Sequence, residues 1–176
     1  MFYRITNYPK KYLSVSYLLS LFFFMVNPSY AIDPNSQEPI EIESDQATLN
    51  DKTGSSTYSG NVIISQGLSR LDAEYITVNS KERKITSIKA TGSPAHFVQQ
   101  SAEKATSTHG YGNAITYNTE NESLTFKGDA RLIQAENSFS GEVIEYDVVK
   151  KAIKAKGDES IGSRVKIQYF PSKKED

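Results

Sequence analysis

Two histidines, His96 and His109, are the side chains of this sequence best suited to acid–base or metal chemistry. A predicted loop separates them, and neither lies in a metal-ligand or nucleophile motif. Ser and Asp are abundant, so a chance pairing of one of them with a histidine is expected and indicates little. Glu41 and Glu43 form a carboxylate pair, but positions i and i+2 of a strand point the same way and are typical of a solvated face. The sequence therefore predicts no enzyme, no catalytic residue and no metal site.

Residues needed for other chemistries are missing. Gly54, Gly60, Gly92 and Gly128 form no G-x-G-x-x-G or Walker pattern that opens a helix, so nucleotide binding is not supported. Cysteine is absent, which excludes disulfides and thiol chemistry. We predict no cofactor, and any energy input must come from elsewhere.

The first 31 residues have the three parts of a secretory signal peptide. These are a basic start, an apolar core at residues 17–26 and a small-x-small cleavage signal that ends at Ala31. A retained membrane anchor is the alternative, although the apolar core is shorter than the ~20 residues of a spanning helix. The segment contains three of the 20 basic residues and none of the 21 acidic ones, so its removal leaves a net charge of −4. That charge argues against binding nucleic acid or an anionic membrane surface.

One stretch of the chain is repeated. The pattern of residue types in 57–78 recurs in 125–146. Each copy has a Thr-aromatic pair, a glycine (Gly60 or Gly128), an apolar run and a polar turn. Apolar and polar residues alternate within both copies, which predicts strands with one buried face. The apolar residues then change phase within residues 71–78 and again within 138–148, which indicates a bulge that turns each strand around a corner.

The remaining patterns also predict strands. No window has sustained helical spacing of apolar residues, and turn signals recur about every ten residues, as in an all-β sandwich, barrel or roll. We expect strands in the following ranges: 40–49, 57–66, 71–78, 85–90, 95–98, 113–118, 124–133, 138–148, 152–156 and 164–169. Residues 91–94 (TGSP) are expected to interrupt a strand. Residues 99–112 are expected to form the loop that joins the two halves, with or without a short irregular strand in it.

Four motifs in order resemble the LptA (OstA-like) family of periplasmic lipopolysaccharide-transport proteins. They are PIEIESD at 39–45, YSGNVIISQG at 58–67, LDAEYITV at 71–78 and ATGSPAHF at 90–97. In the second half, Gly-Asp at 128–129 replaces the Gly-Asn start of the first copy. We therefore expect a signal peptide at 1–31, a flexible leader at 32–38, a single OstA-like domain at 39–170 and a charged tail at 171–176.

The resemblance also implies a fold and a role. The fold is a β-jellyroll-like, V-shaped pair of antiparallel sheets, open at the ends, whose apolar interior carries the acyl chains of lipopolysaccharide (lipid A). Family members lie between an inner-membrane LptC-like partner and an outer-membrane LptD-like partner, and they associate head to tail. We expect this association to join the edge near residues 40–45 to the edge near residues 165–169, with Ile42, Ser44, Val165 and Ile167 at the contact.

The apolar faces of the strands allow two interpretations. From the residues alone they can be a plain core, whereas the resemblance favours a groove in which they face a lipid. The predicted lipid-binding residues are Ile40, Ile42, Tyr58, Val62, Ile64, Phe97, Ile115, Tyr117, Phe126 and Leu132. Aromatic residues suit such a wall because each gives a large apolar area with few rotatable bonds.

Basic residues concentrate near the C-terminus, at Lys150, Lys151, Lys154, Lys156, Arg164 and Lys166. They can be the solvated face of a strand, or they can contact sugar phosphates or an acidic partner. Two other functions also remain open. One is an LptC-like, membrane-anchored partner of the same fold, and the other is a structural β-module that binds no lipid.

Overall fold

The computed structural model describes residues 38–101 and 107–171. The expected signal peptide at 1–31, all of the leader except Glu38, and all of the charged tail except Pro171 lie outside these ranges. The described residues form ten β-strands and no helix. The strands are β1 Glu41–Glu43, β2 Gln46–Asn50, β3 Ser55–Gln66, β4 Ser69–Lys81, β5 Lys84–Gln99, β6 Thr108–Asn118, β7 Ser123–Gln134, β8 Asn137–Asp147, β9 Ala152–Lys156 and β10 Lys166–Gln168. The predicted all-β class is confirmed.

The ten strands form one open antiparallel sheet. Strands β3 to β8 follow one another as a meander, each hydrogen-bonded to the next along the chain. At one edge β1 and β2 both pair with β3, β1 with its second half and β2 with its first half. At the other edge β10 and β9 both pair with β8, β10 with its first half and β9 with its second half. The two edges do not pair with each other, so the sheet stays open.

A line of bulges crosses the sheet and bends every long strand. The register between neighbouring strands shifts at the same level in each pair from β3–β4 to β7–β8. We call the two parts of the bent sheet limb A and limb B. Limb A contains β1, β10 and residues 62–66, 69–73, 95–99, 108–112, 130–134 and 137–141. Limb B contains β2, β9 and residues 55–59, 75–81, 84–91, 114–118, 123–127 and 143–147. The two sheets implied by the resemblance are the limbs of one sheet.

The repeated glycines have the same backbone geometry at the bend. Gly60 and Gly128 both have a φ of +77°, in the left-handed region that favours glycine. The residues that follow, Asn61 and Asp129, also have positive φ values, of +48° and +49°. Asn and Asp adopt this conformation more readily than other L-residues, so Gly-Asp serves in the second copy as Gly-Asn does in the first. The sequence repeat is therefore a repeat of the bulge that turns the strand.

The core lies between the two limbs. Apolar side chains from the inner faces of both limbs form one buried cluster. Phe97 of limb A and Phe126 of limb B meet there, with ring centroids 6.5 Å apart and planes inclined by 50°. The Tyr146 hydroxyl of limb B is hydrogen-bonded to the side chain of Gln134 in limb A. These contacts show that the limbs pack face to face.

The structure differs from two expectations about strand boundaries. The second part of the joining segment 99–112 is a regular strand and not a loop or a short irregular strand, because β6 begins at Thr108 and pairs with β5 and β7. The TGSP sequence was expected to interrupt a strand, yet β5 runs from Lys84 to Gln99 and passes that point as a bulge. Thr91 and Ala95 pair with β6 before and after the bulge, so the strand continues past Gly, Ser and Pro despite their poor strand propensity.

Candidate functional site

The inner face of the sheet carries apolar side chains from one edge to the other. Residues opposite each other on neighbouring strands share a face, so the register defines rows that cross all strands. One row in limb A is Ile42, Ile64, Leu71, Phe97, Gly110, Leu132, Phe139 and Ile167. One row in limb B is Ala47, Tyr58, Ile76, Ala90, Ile115, Phe126, Ile144 and Ala155. We call these the apolar rows.

The apolar surface becomes exposed where it reaches the sheet edges. Phe126 and Leu132, near the middle of their rows, are fully buried. Ile167, on the edge strand β10, is 62% exposed. Leu49 on the edge strand β2 is 65% exposed and pairs with Ser56, on the same face as the buried Val78. The inner surface is therefore closed in the middle and open to contact at both edges.

The predicted lipid-binding residues lie on this inner surface. Seven of the ten are buried, with at most 4% of their surface exposed: Val62, Ile64, Phe97, Ile115, Tyr117, Phe126 and Leu132. The other three, Ile40, Ile42 and Tyr58, are partly buried and pack against the same cluster. The side chains of the two limbs pack together there, so a lipid can reach the seven buried residues only when the limbs move apart.

The expected oligomer contacts lie at the two edges of limb A. Ile42 is in β1, and Ser44 follows that strand and donates a hydrogen bond from Oγ to the carbonyl of Gln46 (3.0 Å). Val165 precedes β10 and Ile167 lies within it. Both edge strands are only three residues long. Their outer backbone groups have no strand neighbour among the described residues, which leaves them able to pair with another chain.

The two histidines lie on the outer face of limb A. His96 Nε2 and His109 Nδ1 are 3.3 Å apart on neighbouring strands, and the His96 ring stacks on Tyr111 with centroids 4.3 Å apart. Burial, and then the charge of His109, lowers the pKa of His96 below its usual value. The sequence interpretation placed a loop between these residues and missed the pair. In the described ranges, no three His, Cys, Asp or Glu side chains come close enough together to hold a metal ion.

The basic residues near the C-terminus are exposed and partly paired with acids. Lys150 Nζ lies 2.8 Å from Asp147 Oδ2, and hydrogen bonds from Lys150 lower the pKa of Asp147. Lys154 Nζ lies 3.9 Å from Glu145 Oε2. Lys154 and Lys156 alternate in β9 with Ile153 and Ala155, which pack on the core, so both lysines point outwards. They lie on the outer surface of limb B.

A polar row on the inner face was missed by the sequence interpretation. It lies one step outside the apolar row of limb A and consists of Gln66, Ser69, Gln99, Thr108, Gln134 and Asn137. Each of these residues ends or begins a strand, so each looks in the sequence like part of a turn. The alternation along each strand does predict the row, because Gln66, Gln99 and Gln134 each follow a buried apolar residue by two positions and so share its face.

Comparison with known proteins identifies the family. Residues 41–152 match the family described as LptA/(LptD N-terminal domain) LPS transport protein. This chain belongs to that family. The match begins with β1 and ends at the start of β9, and so it includes both limbs of the LptA/LptD N-terminal fold. The resemblance noted in the sequence is confirmed.

Curated relatives within the family have similar lengths. The chain is 32% identical over 147 residues to the lipopolysaccharide export system protein LptA of Haemophilus influenzae, covering 82% of this chain and 84% of the relative. It is 31% identical over 126 residues to LptH of Pseudomonas aeruginosa, covering 71% of this chain and 72% of the relative. It is 29% identical over 151 residues to LptA of Escherichia coli, covering 85% and 80%.

A solved structure has the same fold. The crystal structure of Pseudomonas aeruginosa LptH superposes with a TM-score of 0.69 at 27% identity, over 76% of this chain and 96% of that chain. LptH is the LptA-homologous periplasmic component of a lipopolysaccharide transport device in that organism. Within the described part of this chain, no helix has the length and apolar character required to cross a membrane.

Proposed function

We propose that this protein is a periplasmic carrier that holds the acyl chains of lipopolysaccharide between its two limbs and passes them from the inner to the outer membrane. The observation that carries the proposal is the pair of apolar rows, which cross the whole sheet and become partly or fully exposed at its edges. Membership of a lipopolysaccharide transport family supports it. No catalytic step is needed for this role.

The magnitude of the hydrophobic effect explains why a carrier is needed. Exposing one CH2 group to water costs about 0.8 kcal/mol, so an acyl chain of about a dozen carbons costs roughly 10 kcal/mol when it leaves a membrane unprotected. Apolar side chains along the rows replace the lost contacts. If the lipid meets a similar surface in the next protein of the bridge, transfer between the two has little net cost and a push from one end is sufficient.

Entry of the lipid requires the limbs to separate. Side chains such as Phe97 and Phe126 meet across the interior, and their contact must be replaced by contact with the acyl chain. The line of bulges is a suitable hinge, because it contains small residues such as Gly112 and Gly141 and interrupts the regular hydrogen bonding of every long strand. The free energy lost when the core contacts separate is then offset by the free energy gained from contacts with the acyl chain.

The partners follow from the open edges. We propose that the edge formed by β1 receives a strand from one neighbour and the edge formed by β10 receives a strand from the next. The neighbours are an LptC-like inner-membrane protein, an LptD-like outer-membrane protein and, between them, further copies of this chain joined head to tail. Pairing of this kind would place the apolar row of one molecule in line with that of the next.

Photocrosslinking tests the proposal at inward and outward positions of the same strands. Benzoylphenylalanine placed at Phe97 or Ile115 faces the interior, whereas at the neighbouring Val98 or Thr116 it faces outwards. In cells that make lipopolysaccharide, we expect lipid adducts from the two inward positions and none from the outward controls. Adducts from neither class, in a protein that still folds, would favour a structural β-module that binds no lipid.

A further inference from the structure

The polar row of limb A closes one rim of the interior. It runs parallel to the apolar row, two residues nearer the end of limb A on each strand, and continues across all six long strands. Its members are three glutamines, one asparagine, one serine and one threonine, so it has no formal charge but many hydrogen-bond donors and acceptors. The inner surface therefore changes from hydrocarbon to amide and hydroxyl within one step along the strands.

A cavity of about 360 Å³ opens beside this row. Gln99, Thr108, Gln134 and Asn137 line it from limb A, and Tyr146 lines it from limb B, with the exposed Lys151 also contributing. Tyr146 is hydrogen-bonded to Gln134, and burial raises the pKa of its hydroxyl above the usual value. The phenol therefore stays neutral and can donate a hydrogen bond. The cavity lies where the polar rim of limb A meets limb B.

Gln99 supplies the observation that points to a ligand. Its side chain is only 7% exposed, and its Nε2 has no hydrogen-bond partner among the described residues. A buried amide without a partner is destabilising, and such groups are uncommon in native proteins. A leucine would fill a similar volume without this penalty. A ligand in the cavity that accepts a hydrogen bond from Gln99 Nε2 would explain why this position holds a glutamine.

We propose that the polar row and its cavity bind the sugar headgroup of the amphiphile whose acyl chains lie on the apolar rows, an inference that rests on the proposed function. Carboxamides and hydroxyls donate and accept hydrogen bonds, as sugar hydroxyls and amide-linked acyl groups do. Lys151 at the same cavity carries a positive charge that suits a phosphate on the sugar. The arrangement orients the lipid, with its chains towards Phe97 and its sugar towards Gln99.

Two shape-conserving substitutions test the subsite. Gln99→Leu removes the unpartnered amide, and Thr108→Val removes the hydroxyl opposite it on β6. The control, Gln46→Leu, makes the same change as the first at an exposed position on β2. The full chain is titrated with deep-rough lipopolysaccharide and, separately, with myristate, which has a chain but no sugar. Thermal melting is recorded for every variant.

Each outcome either supports the subsite or overturns it. We expect Gln99→Leu to melt at or above the wild-type temperature, to bind lipopolysaccharide about tenfold more weakly and to bind myristate unchanged. Thr108→Val should act in the same direction, and Gln46→Leu should have no effect. An equal loss of affinity for both probes, or no loss of affinity for lipopolysaccharide, would overturn the proposed sugar subsite without contradicting the carrier function. Failure of the wild-type protein to bind either probe would instead refute the proposed function.

Discussion

The ring of Phe126, in limb B, lies against the backbone of Gly110, in limb A. A Cβ atom added to Gly110 would overlap Cε1 and Cζ of that ring. Gly110 lies in the apolar row of limb A, between Phe97 and Leu132. The absence of a side chain at this point of the row lets an aromatic ring from the opposite limb reach the inner face. This contact, together with that between Phe126 and Phe97, fixes how closely the limbs approach.

Gly110→Ala is expected to lower the free energy of unfolding by about 1–3 kcal/mol, because the added methyl group overpacks the interface. In a Phe126→Leu background the same change should cost much less, since the smaller side chain leaves room for the methyl group. Urea denaturation of the four proteins in this cycle gives the coupling energy between the two positions. Equal effects of Gly110→Ala in both backgrounds would show that the two residues do not limit the approach of the limbs.

The strands and the inner face could be predicted because apolar and polar residues alternate along most of each strand. Val62, Ile64, Phe97 and Leu132 all fall on the buried face as their period of two requires. The phase change within residues 71–78 correctly predicted a bend, since an extra residue moves every later side chain to the other face. That the two predicted sheets are one continuous sheet is a matter of pairing between strands, which the pattern of a single strand does not contain.

The start of β6 could not be predicted for a similar reason. Thr108 to Gly112 have two glycines and little apolar character, so their composition is that of a loop. They form a strand because β5 and β7 pair with them on both sides. The same pairing brings His109 beside His96 and places Thr108 in the polar row. The features missed from the sequence are therefore those that depend on register between strands.

Ile167→Asp is expected to weaken self-association without unfolding the protein. Ile167 is 62% exposed on the edge strand β10, so a charge there costs little in the monomer but opposes burial against a second chain. Light scattering over a range of protein concentrations should show a mass that rises with concentration for the wild type and rises less for the variant. Leu68→Asp, at a turn position that is 53% exposed, is the matched control. Equal association of both variants would exclude this edge from the contact.

Reversing the charge of Lys154 and Lys156 tests the outer surface of limb B. Both lysines are exposed. The ion pair of Lys154 with Glu145, at 3.9 Å, is also exposed and contributes little to stability, so substitution of both lysines by Glu should change the melting temperature little. Binding to lipopolysaccharide or to an acidic partner should weaken severalfold at low salt, and the difference should shrink as salt is added. Lys52→Glu with Lys81→Glu, in the turn after β2 and at the end of β4, gives the same charge change elsewhere on limb B. Unchanged binding at low salt would leave the lysines as a solvated strand face.

The stability of the protein is expected to fall as the pH drops below about 6.5. Burial, and then the charge of His109, lowers the pKa of His96 in the folded chain. The unfolded chain therefore binds a proton at His96 more readily between its ordinary pKa and the lowered one, and each such proton favours unfolding. Asp72 and Arg70 on β4 act on the same ring, Asp72 raising the pKa of His96 and Arg70 lowering it, and Tyr111 stacks on the ring.

Imidazole resonances followed by NMR, together with thermal melts from pH 7.5 to 5, check this prediction. His96→Phe keeps the stacking surface for Tyr111 and should lose less stability on acidification than the wild type. His109→Gln removes the neighbouring positive charge, so the pKa of His96 should rise towards its ordinary value. A wild-type His96 that titrates at or above that ordinary value would contradict the burial argument, because the folded chain would then hold the proton at least as well as the unfolded chain.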